Sequence, residues 1–160
     1  MFGEAKILIT GGCGYIGFNL ALHLLSSGSE TIILFDLTPP KYEIDEIDIN
    51  QNSKNLAMTT KNKIIYVEGD IRDQKLLSET MKLYSVNAVF HIAGYGLSGH
   101  SNLPVFDDVT YSVNVLGTKN VVRACVENNV RALGMLMKLY CDDYDICMTE
   151  INMNDASMFV

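Results

Sequence analysis

Short apolar runs alternate with segments of helical periodicity along most of the chain. Each run has five or six residues, is rich in Ile, Leu, Val and Phe, and is bounded by glycine or polar residues. Continuous apolar runs of this length are typical of strands buried on both faces of a parallel sheet. Four strands are predicted in this way, at residues 6–10, 31–36, 63–67 and 87–92.

Between these runs the apolar residues recur at helical spacing. Ile16, Leu20 and Leu24 lie on one stripe, which ends at the Ser-Ser-Gly of residues 26–28. A second helix is predicted around residues 76–81 and a third at residues 111–128. Alternation of strands and helices requires right-handed crossovers, so the pattern predicts an α/β fold with a Rossmann-type, doubly wound parallel sheet.

Two segments depart from this alternation. Residues 37–62 are rich in Pro, Asn and Asp and are predicted to form a long loop. After Arg131 the composition changes: residues 132–160 hold five of the eight methionines, five acidic residues and one glycine. We therefore expect an incomplete Rossmann domain at residues 1–131, truncated after about the fourth strand and the following helix. Residues 132–160 are interpreted as a divergent acidic tail with no assigned domain.

Composition and charge exclude several classes of protein. The 160 residues suffice for one domain, 48% of them are apolar, and the net charge is −7. This charge argues against a nucleic-acid-binding surface and against an anionic membrane face. No apolar run reaches the ~18 residues of a membrane span, no signal peptide is recognisable, and four cysteines are too few for a disulfide scaffold. We expect a cytoplasmic protein.

The strongest chemical signal is a glycine motif between the first strand and the first helix. Gly11, Gly14 and Gly17 have the spacing that allows a tight turn, a close approach of backbone to a pyrophosphate, and close packing of helix on strand. The helix N-terminus would then present free N–H groups to the phosphates. The alternative is a glycine turn in an unrelated α/β protein.

An acidic residue strengthens the first interpretation. Asp36 ends the second strand, 19 residues after Gly17, where a carboxylate accepts hydrogen bonds from the adenosine ribose and repels a 2′-phosphate. This favours NAD over NADP as cofactor. The alternative is an aspartate that merely begins a turn.

Other residues are open to two interpretations. Asp70 is placed to contact the adenine edge and Ile71 its ring, although an aspartate at residues 70–73 equally caps the next helix. His91 at a strand end is more often structural than catalytic. Cys13 is either reactive, being near a helix N-terminus, or simply a small side chain in the loop. The acidic residues of the tail lack calcium-loop spacing, and no metal site is predicted.

Taken together, these motifs resemble those of a known superfamily. They are, in order, residues 11–17, Asp36, residues 69–73, 89–93 and 114–118. Over residues 5–131 the chain resembles the extended short-chain dehydrogenases/reductases, the NAD-dependent epimerase/dehydratase superfamily. The sequence of residues 91–99 is most similar to that of the 3-beta-hydroxysteroid dehydrogenase-like branch.

The resemblance implies an NAD site whose residues can be named. In such a site the glycine motif lines the pyrophosphate, Asp36 holds the ribose, Asp70 and Ile71 hold the adenine, and Ala93 lies along the cofactor. Asn114 would take the helix-kink, water-binding role. The full set of expected cofactor-binding residues is Gly11, Gly14, Tyr15, Ile16, Gly17, Asp36, Asp70, Ile71, Ala93 and Asn114.

The resemblance also implies a catalytic pair that the sequence lacks. Such enzymes use a tyrosine as general acid/base, with a lysine four residues later that lowers the pKa of the tyrosine. None of the eight tyrosines here is followed by lysine at that spacing, so we assign no catalytic residue. The full-length relative is expected to oxidise a secondary alcohol, such as a steroid, with NAD. The present chain is expected to bind NAD without turnover.

Several alternatives remain open at this stage. The first alternative to the dehydrogenase interpretation is a non-catalytic, NAD-responsive regulatory module. The others are a fragment of a sugar-nucleotide epimerase or dehydratase, and an unrelated Rossmann protein such as a methyltransferase. The tail is either genuine or an artefact of splicing or gene prediction. The resemblance allows a homodimer through the helix at residues 111–128, and it implies that full-length relatives are often membrane-associated.

Overall fold

The computed structural model describes residues 5–29, 31–41, 64–96 and 108–136, together with the backbone of residues 137 and 147–152. Most of the long loop expected at residues 37–62 lies outside the described residues, as does much of the expected tail.

In the described part of the chain, six strands form one sheet, in the spatial order β3-β2-β1-β4-β5-β6. The first five strands are parallel, and β6 is antiparallel to β5. This arrangement confirms the predicted doubly wound sheet, with β1 at the point where the strand order reverses. The strands are β1 Lys6–Thr10, β2 Thr31–Asp36, β3 Ile64–Glu68, β4 Ala88–His91, β5 Ala132–Met137 and β6 Cys147–Asn152.

The helices lie where the apolar periodicity predicts them. Among the described residues they are α1 Tyr15–Ser26, α2 Gln74–Tyr84, α3 Asp108–Tyr111 and α4 Thr118–Glu127. Between α3 and α4, the residues Ser112–Gly117 form a π-helical segment, and the backbone remains helical on both sides of it. Helical periodicity alone does not reveal such a widened turn, because the apolar stripe continues through it.

The core has two parts, one on each face of the sheet. Alternate strand residues point to opposite faces, so that Leu8 and Ile33 pack on the side of α2 and α4. Ile9 and Leu34 pack on the side of α1. Burial on both faces explains why the strand sequences read as continuous apolar runs rather than as alternating ones.

The sheet does not end after the fourth strand, which corrects the expected truncation. β5 pairs in parallel with β4, in a register that runs from Ala88 opposite Ala132 to His91 opposite Met135, and Leu133 is fully buried. The segment was not recognised because leucine and methionine favour helix, whereas pairing against β4 overrides that local preference. The composition change at Arg131 therefore does not mark the end of the sheet, and the proposed domain boundary there stays a prediction.

Candidate functional site

Two glycines of the motif are required by close packing. Gly11 has a positive φ of 68°, and a β-carbon there would lie 2.8 Å from the Ala93 Cα. A β-carbon on Gly17 would overlap the carbonyl oxygen of Gly11. The loop is thus pressed against the end of β4 on one side and against α1 on the other.

Gly14 differs, because it borders open space. It is exposed, and the nearest atom to a β-carbon on it would be the Gly11 oxygen, at an ordinary 3.4 Å. It begins α1 without any side-chain cap, and the next residues Tyr15 and Ile16 are 76% and 51% exposed. The first N–H groups of a helix have no partner inside it, so this end of α1 presents donors and partial positive charge to an anion.

Asp36 is held at the edge of this loop. Its Oδ2 accepts a hydrogen bond of 3.0 Å from the backbone N–H of Cys13, and its Oδ1 accepts a longer one of 3.4 Å from Thr38. Burial, and secondarily the Asp36 charge, raises the pKa of the Cys13 thiol to about 12. Cys13 is therefore a protonated thiol at neutral pH, which argues against the reactive alternative.

The turn after β3 uses its two aspartates differently. The Asp70 carboxylate receives the Arg72 guanidinium, with Nε 3.0 Å from Oδ1 and 2.9 Å from Oδ2. These hydrogen bonds from Arg72 hold the pKa of Asp70 below its usual value. Asp73 instead caps α2, accepting a hydrogen bond of 3.0 Å from the backbone N–H of Leu76. Capping, one of the two interpretations left open, therefore belongs to Asp73.

Ile71 is buried beside the helix that contains Gly117. Its side chain is only 5% exposed and packs against Gly117, where a β-carbon would come within 2.6 Å of it. Its carbonyl oxygen accepts a hydrogen bond of 3.2 Å from Asn120 Nδ2. The isoleucine therefore fills the space between the turn and the helix that contains Gly117, and its expected contact with an adenine ring stays a prediction.

His91 is buried at the end of β4 and bonded on both ring nitrogens. Nδ1 lies 2.6 Å from Thr10 Oγ1, and Nε2 lies 2.9 Å from Thr118 Oγ1. Burial lowers the pKa of His91 to about 4, so the ring is neutral at physiological pH. These contacts agree with a structural rather than a catalytic histidine.

Asn114, in the π-helical segment, forms two hydrogen bonds with the loop that follows β4. Its Nδ2 donates to the Tyr95 carbonyl at 2.8 Å, and its Oδ1 accepts from the Tyr95 N–H at 2.7 Å. Because the carboxyl ends of β1, β2 and β4 meet at one edge of the sheet, Gly11, Asp36 and Ala93 lie along that edge together. A crevice at this edge is where open α/β sheets bind ligands.

Sequence reasoning missed the partners of two of these residues. Thr10 ends an otherwise apolar strand, and Thr118 follows Asn114 by one helical turn. A polar residue at the end of a buried strand is the signal that could have drawn attention to Thr10, but only the folded chain shows that both threonines meet His91.

The described residues offer no other site of note. Among them, no group of three or more His, Cys, Asp or Glu side chains is arranged to hold a metal ion. No helix in the described part of the chain combines the length and the hydropathy needed to cross a bilayer.

Comparison with known proteins places these features in context. Residues 7–137 match the family described as polysaccharide biosynthesis protein. The chain is 34% identical to short-chain dehydrogenase/reductase family 42E member 1 of Danio rerio, over 97% of this chain and 34% of that protein. It is 33% identical to a UDP-glucose 4-epimerase of Klebsiella pneumoniae, over 74% of this chain and 78% of the relative.

A solved structure shows the same fold. The UDP-glucose 4-epimerase of Brucella ovis in complex with NAD is 29% identical, with a TM-score of 0.58, and the match covers 80% of this chain and 34% of that one. The present chain spans about a third of the length of the first curated relatives it matches, 34% and 28% for the fish and human proteins.

Proposed function

The chain belongs to the extended short-chain dehydrogenase/reductase superfamily, that of the NAD-dependent epimerases and dehydratases, and from this premise we propose that it binds NAD. The proposed site crosses the carboxyl end of β1, with Asp36 on one side and Ala93 on the other. The Brucella relative, at 29% identity, is described as a complex with NAD, which supports the proposal.

The observation that carries the proposal is the position of Asp36. The N–H of Cys13 fixes its carboxylate at the border of the glycine loop, 3.0 Å away. A carboxylate at that place accepts hydrogen bonds from the ribose hydroxyls of an adenosine and repels a 2′-phosphate. We therefore expect NAD to bind in preference to NADP.

The remaining residues divide the dinucleotide between them. The open space at Gly14 and the free N–H groups at the start of α1, at Tyr15 and Ile16, suit a pyrophosphate. The turn at Asp70 and Ile71 is assigned to the adenine, with Ile71 contributing backbone rather than side chain. Gly11 and Gly17 shape the loop, and Ala93 and Asn114 border the nicotinamide half.

For full-length relatives of this chain we propose oxidation of a secondary alcohol, as in the 3-beta-hydroxysteroid dehydrogenase-like enzymes. Bound NAD would supply the hydride acceptor for that oxidation. A steroid is one candidate substrate. A UDP-sugar is the second, favoured by the similarity to the Klebsiella UDP-glucose 4-epimerase. The Tyr-x-x-x-Lys pair that would move the proton does not occur in these 160 residues, so we expect binding without turnover.

Calorimetric titration with NAD and NADP tests the cofactor. We expect Asp36→Asn to weaken NAD binding about tenfold and to reduce discrimination against NADP, because a charge-assisted hydrogen bond is lost. Glu68→Gln is the matched control, since Glu68 is an exposed carboxylate at the end of β3, directly opposite Asp36 in the sheet register. Absence of NAD binding by the wild-type chain, or binding of S-adenosylmethionine instead, would refute the proposal.

Turnover is tested separately with the same purified chain. Incubation with NAD and either a 3-beta-hydroxysteroid or UDP-glucose is expected to give neither NADH nor UDP-galactose. Formation of either product would contradict binding without turnover and would identify which of the two substrate classes applies.

A further inference from the structure

A chain of hydrogen bonds, buried where Thr10 meets His91, connects β1, β4 and the helix that follows, and the donor and acceptor of each bond can be assigned. The Thr118 hydroxyl donates to the Asn114 carbonyl at 2.7 Å, so it must accept from the N–H at His91 Nε2. The other ring nitrogen, Nδ1, then accepts from the Thr10 hydroxyl. Thr10 Oγ1 in turn accepts from the backbone N–H of Ala93 at 3.3 Å. One tautomer of the neutral ring satisfies every bond.

Both ends of this network hold the same loop. Ala93 is bonded to Thr10 through its N–H, and Tyr95 is bonded to the side chain of Asn114 through both its N–H and its carbonyl. The two residues flanking Gly94 are therefore fixed from two elements, β1 and the π-helical segment. His91 is the link between these elements, and at 5% exposure it does not itself border the crevice.

The position of this loop matters because its backbone packs directly against the glycine motif. The Ala93 backbone already lies where a methyl on Gly11 would be 2.8 Å away. In the sheet, β1 lies between two neighbours. One of them is β4, and the other is β2, which carries Asp36. A shift of the loop would alter the β4 side of the crevice and leave the Asp36 side unchanged.

We propose that His91 is a positioning residue for the nicotinamide half of bound NAD. Through Thr10 and Thr118 it holds residues 93–95 against the glycine loop without touching the dinucleotide. This inference rests on the proposed function, and it adds an asymmetry that the proposed function does not require: losing the network weakens binding of the nicotinamide half but not of the adenosine half.

The asymmetry is tested by titrating the full chain with NAD and with AMP. Thr118→Val removes the hydroxyl at nearly constant volume, and we expect it to weaken NAD binding about tenfold while AMP binding stays within about twofold of wild type. Thr118→Ser keeps the hydroxyl and should restore NAD affinity. Thr80→Val is the matched control, a buried threonine of α2 outside the network, and should leave both affinities unchanged.

A second variant makes the test independent of one substitution. His91→Asn keeps an acceptor near Thr10 but cannot reach Thr118, and it should reproduce the selective loss of NAD affinity. Thermal unfolding of each variant is recorded alongside. Equal weakening of NAD and AMP, or a lowered melting temperature with unchanged NAD affinity, would mean a purely structural role and overturn the inference alone. A wild-type chain that binds neither nucleotide would overturn the proposed function itself.

Discussion

Two glycines of one motif have different physical requirements. Gly17 has no room for a β-carbon, because the Gly11 carbonyl oxygen occupies that space and belongs to the backbone. Gly14 is exposed and has an ordinary φ of −73°, which any residue adopts. A spacing motif treats them alike, whereas in the structure only Gly17 is required by packing, and Gly14 borders the open space that we propose for the pyrophosphate.

Alanine substitution should separate these two requirements. We expect Gly17→Ala to lower the free energy of unfolding by about 3 kcal/mol, because backbone must move to admit the methyl group. Gly14→Ala should change that free energy by less than about 0.5 kcal/mol, yet weaken NAD binding because its methyl occupies the space assigned to the pyrophosphate. Urea unfolding and calorimetry measure the two effects. A stable Gly17→Ala protein, or a Gly14→Ala protein with wild-type affinity, would contradict this division.

The buried His91 should make stability depend on pH. Burial lowers its pKa from 6.5 to about 4 in the folded state, so the unfolded chain binds a proton first as the pH falls. The neutral His91 ring therefore imposes no cost on the folded state above pH 6.5, and the free energy of unfolding falls progressively as the pH decreases from 6.5 towards 4. Between pH 7.5 and pH 5 this one group should lower the free energy of unfolding by about 2 kcal/mol.

The contribution of His91 is isolated by comparing variants. Urea unfolding of His91→Gln at the two pH values should show a smaller loss than wild type, by about the same 2 kcal/mol. His23→Gln, a substitution of an exposed histidine in α1, should retain the wild-type pH dependence. Equal pH dependence in all three proteins would show that His91 titrates normally.

At the residue scale the sequence predicted positions better than contacts. The pattern placed Gly11 and Asp36 directly after or at the end of their strands, and the resemblance added Ala93. In the structure these three residues lie at one edge of the sheet, because the carboxyl ends of parallel strands share it. It did not predict that Ile71 is buried against Gly117, or that Thr10 and Thr118 meet at His91. Thr10 is 81 residues from His91 in sequence, and Thr118 is 27 residues from it. No local pattern encodes contacts between residues so far apart.

At the scale of elements, prediction succeeded where pattern and packing agree. The bounds of β1 and β2 match their predicted bounds, and β3 lies one residue later than predicted. The helix predicted at residues 111–128 begins three residues earlier and contains the π-helical segment Ser112–Gly117. β5 was missed because its Ala, Leu, Gly and Met residues do not favour a strand locally, and its pairing with β4 is a tertiary effect.

The cap of α2 is a local device whose effect can be measured. Asp73 accepts a hydrogen bond from Leu76 at the start of the helix, so Asp73→Ala leaves a helical N–H without that partner. We expect a loss of about 1 kcal/mol in the free energy of unfolding. Glu79→Ala is the control, because Glu79 lies on the same helix in an exposed ion pair with Lys75 and should cost less than about 0.5 kcal/mol. Equal effects in chemical denaturation would show that Asp73 acts only through its charge.

At the scale of the whole molecule, the alternation of elements predicted a parallel sheet with both faces covered. The direction and order of the strands follow from right-handed crossovers, which is why the superfamily resemblance and the structure agree. The sheet continues through β5, past the composition change at Arg131, while the predicted domain boundary at Arg131 stays a prediction. An interpretation based on composition treats residues 132–160 as separate, whereas the sheet includes residues 132–137 and 147–152.

A single substitution in β5 distinguishes these two descriptions of the molecule. Leu133 is fully buried in the core shared with α2 and α4, so Leu133→Ala should lower the free energy of unfolding by about 3 kcal/mol through lost burial and the cavity left behind. Leu83→Ala, on the exposed side of α2, is the matched control and should change it by less than about 0.5 kcal/mol. If β5 unfolds together with the rest of the sheet, Leu133→Ala lowers the urea concentration at the midpoint of the single unfolding transition. If residues from 132 onward are a separate tail, the two variants unfold at the same urea concentration, and the Rossmann unit ends at Arg131.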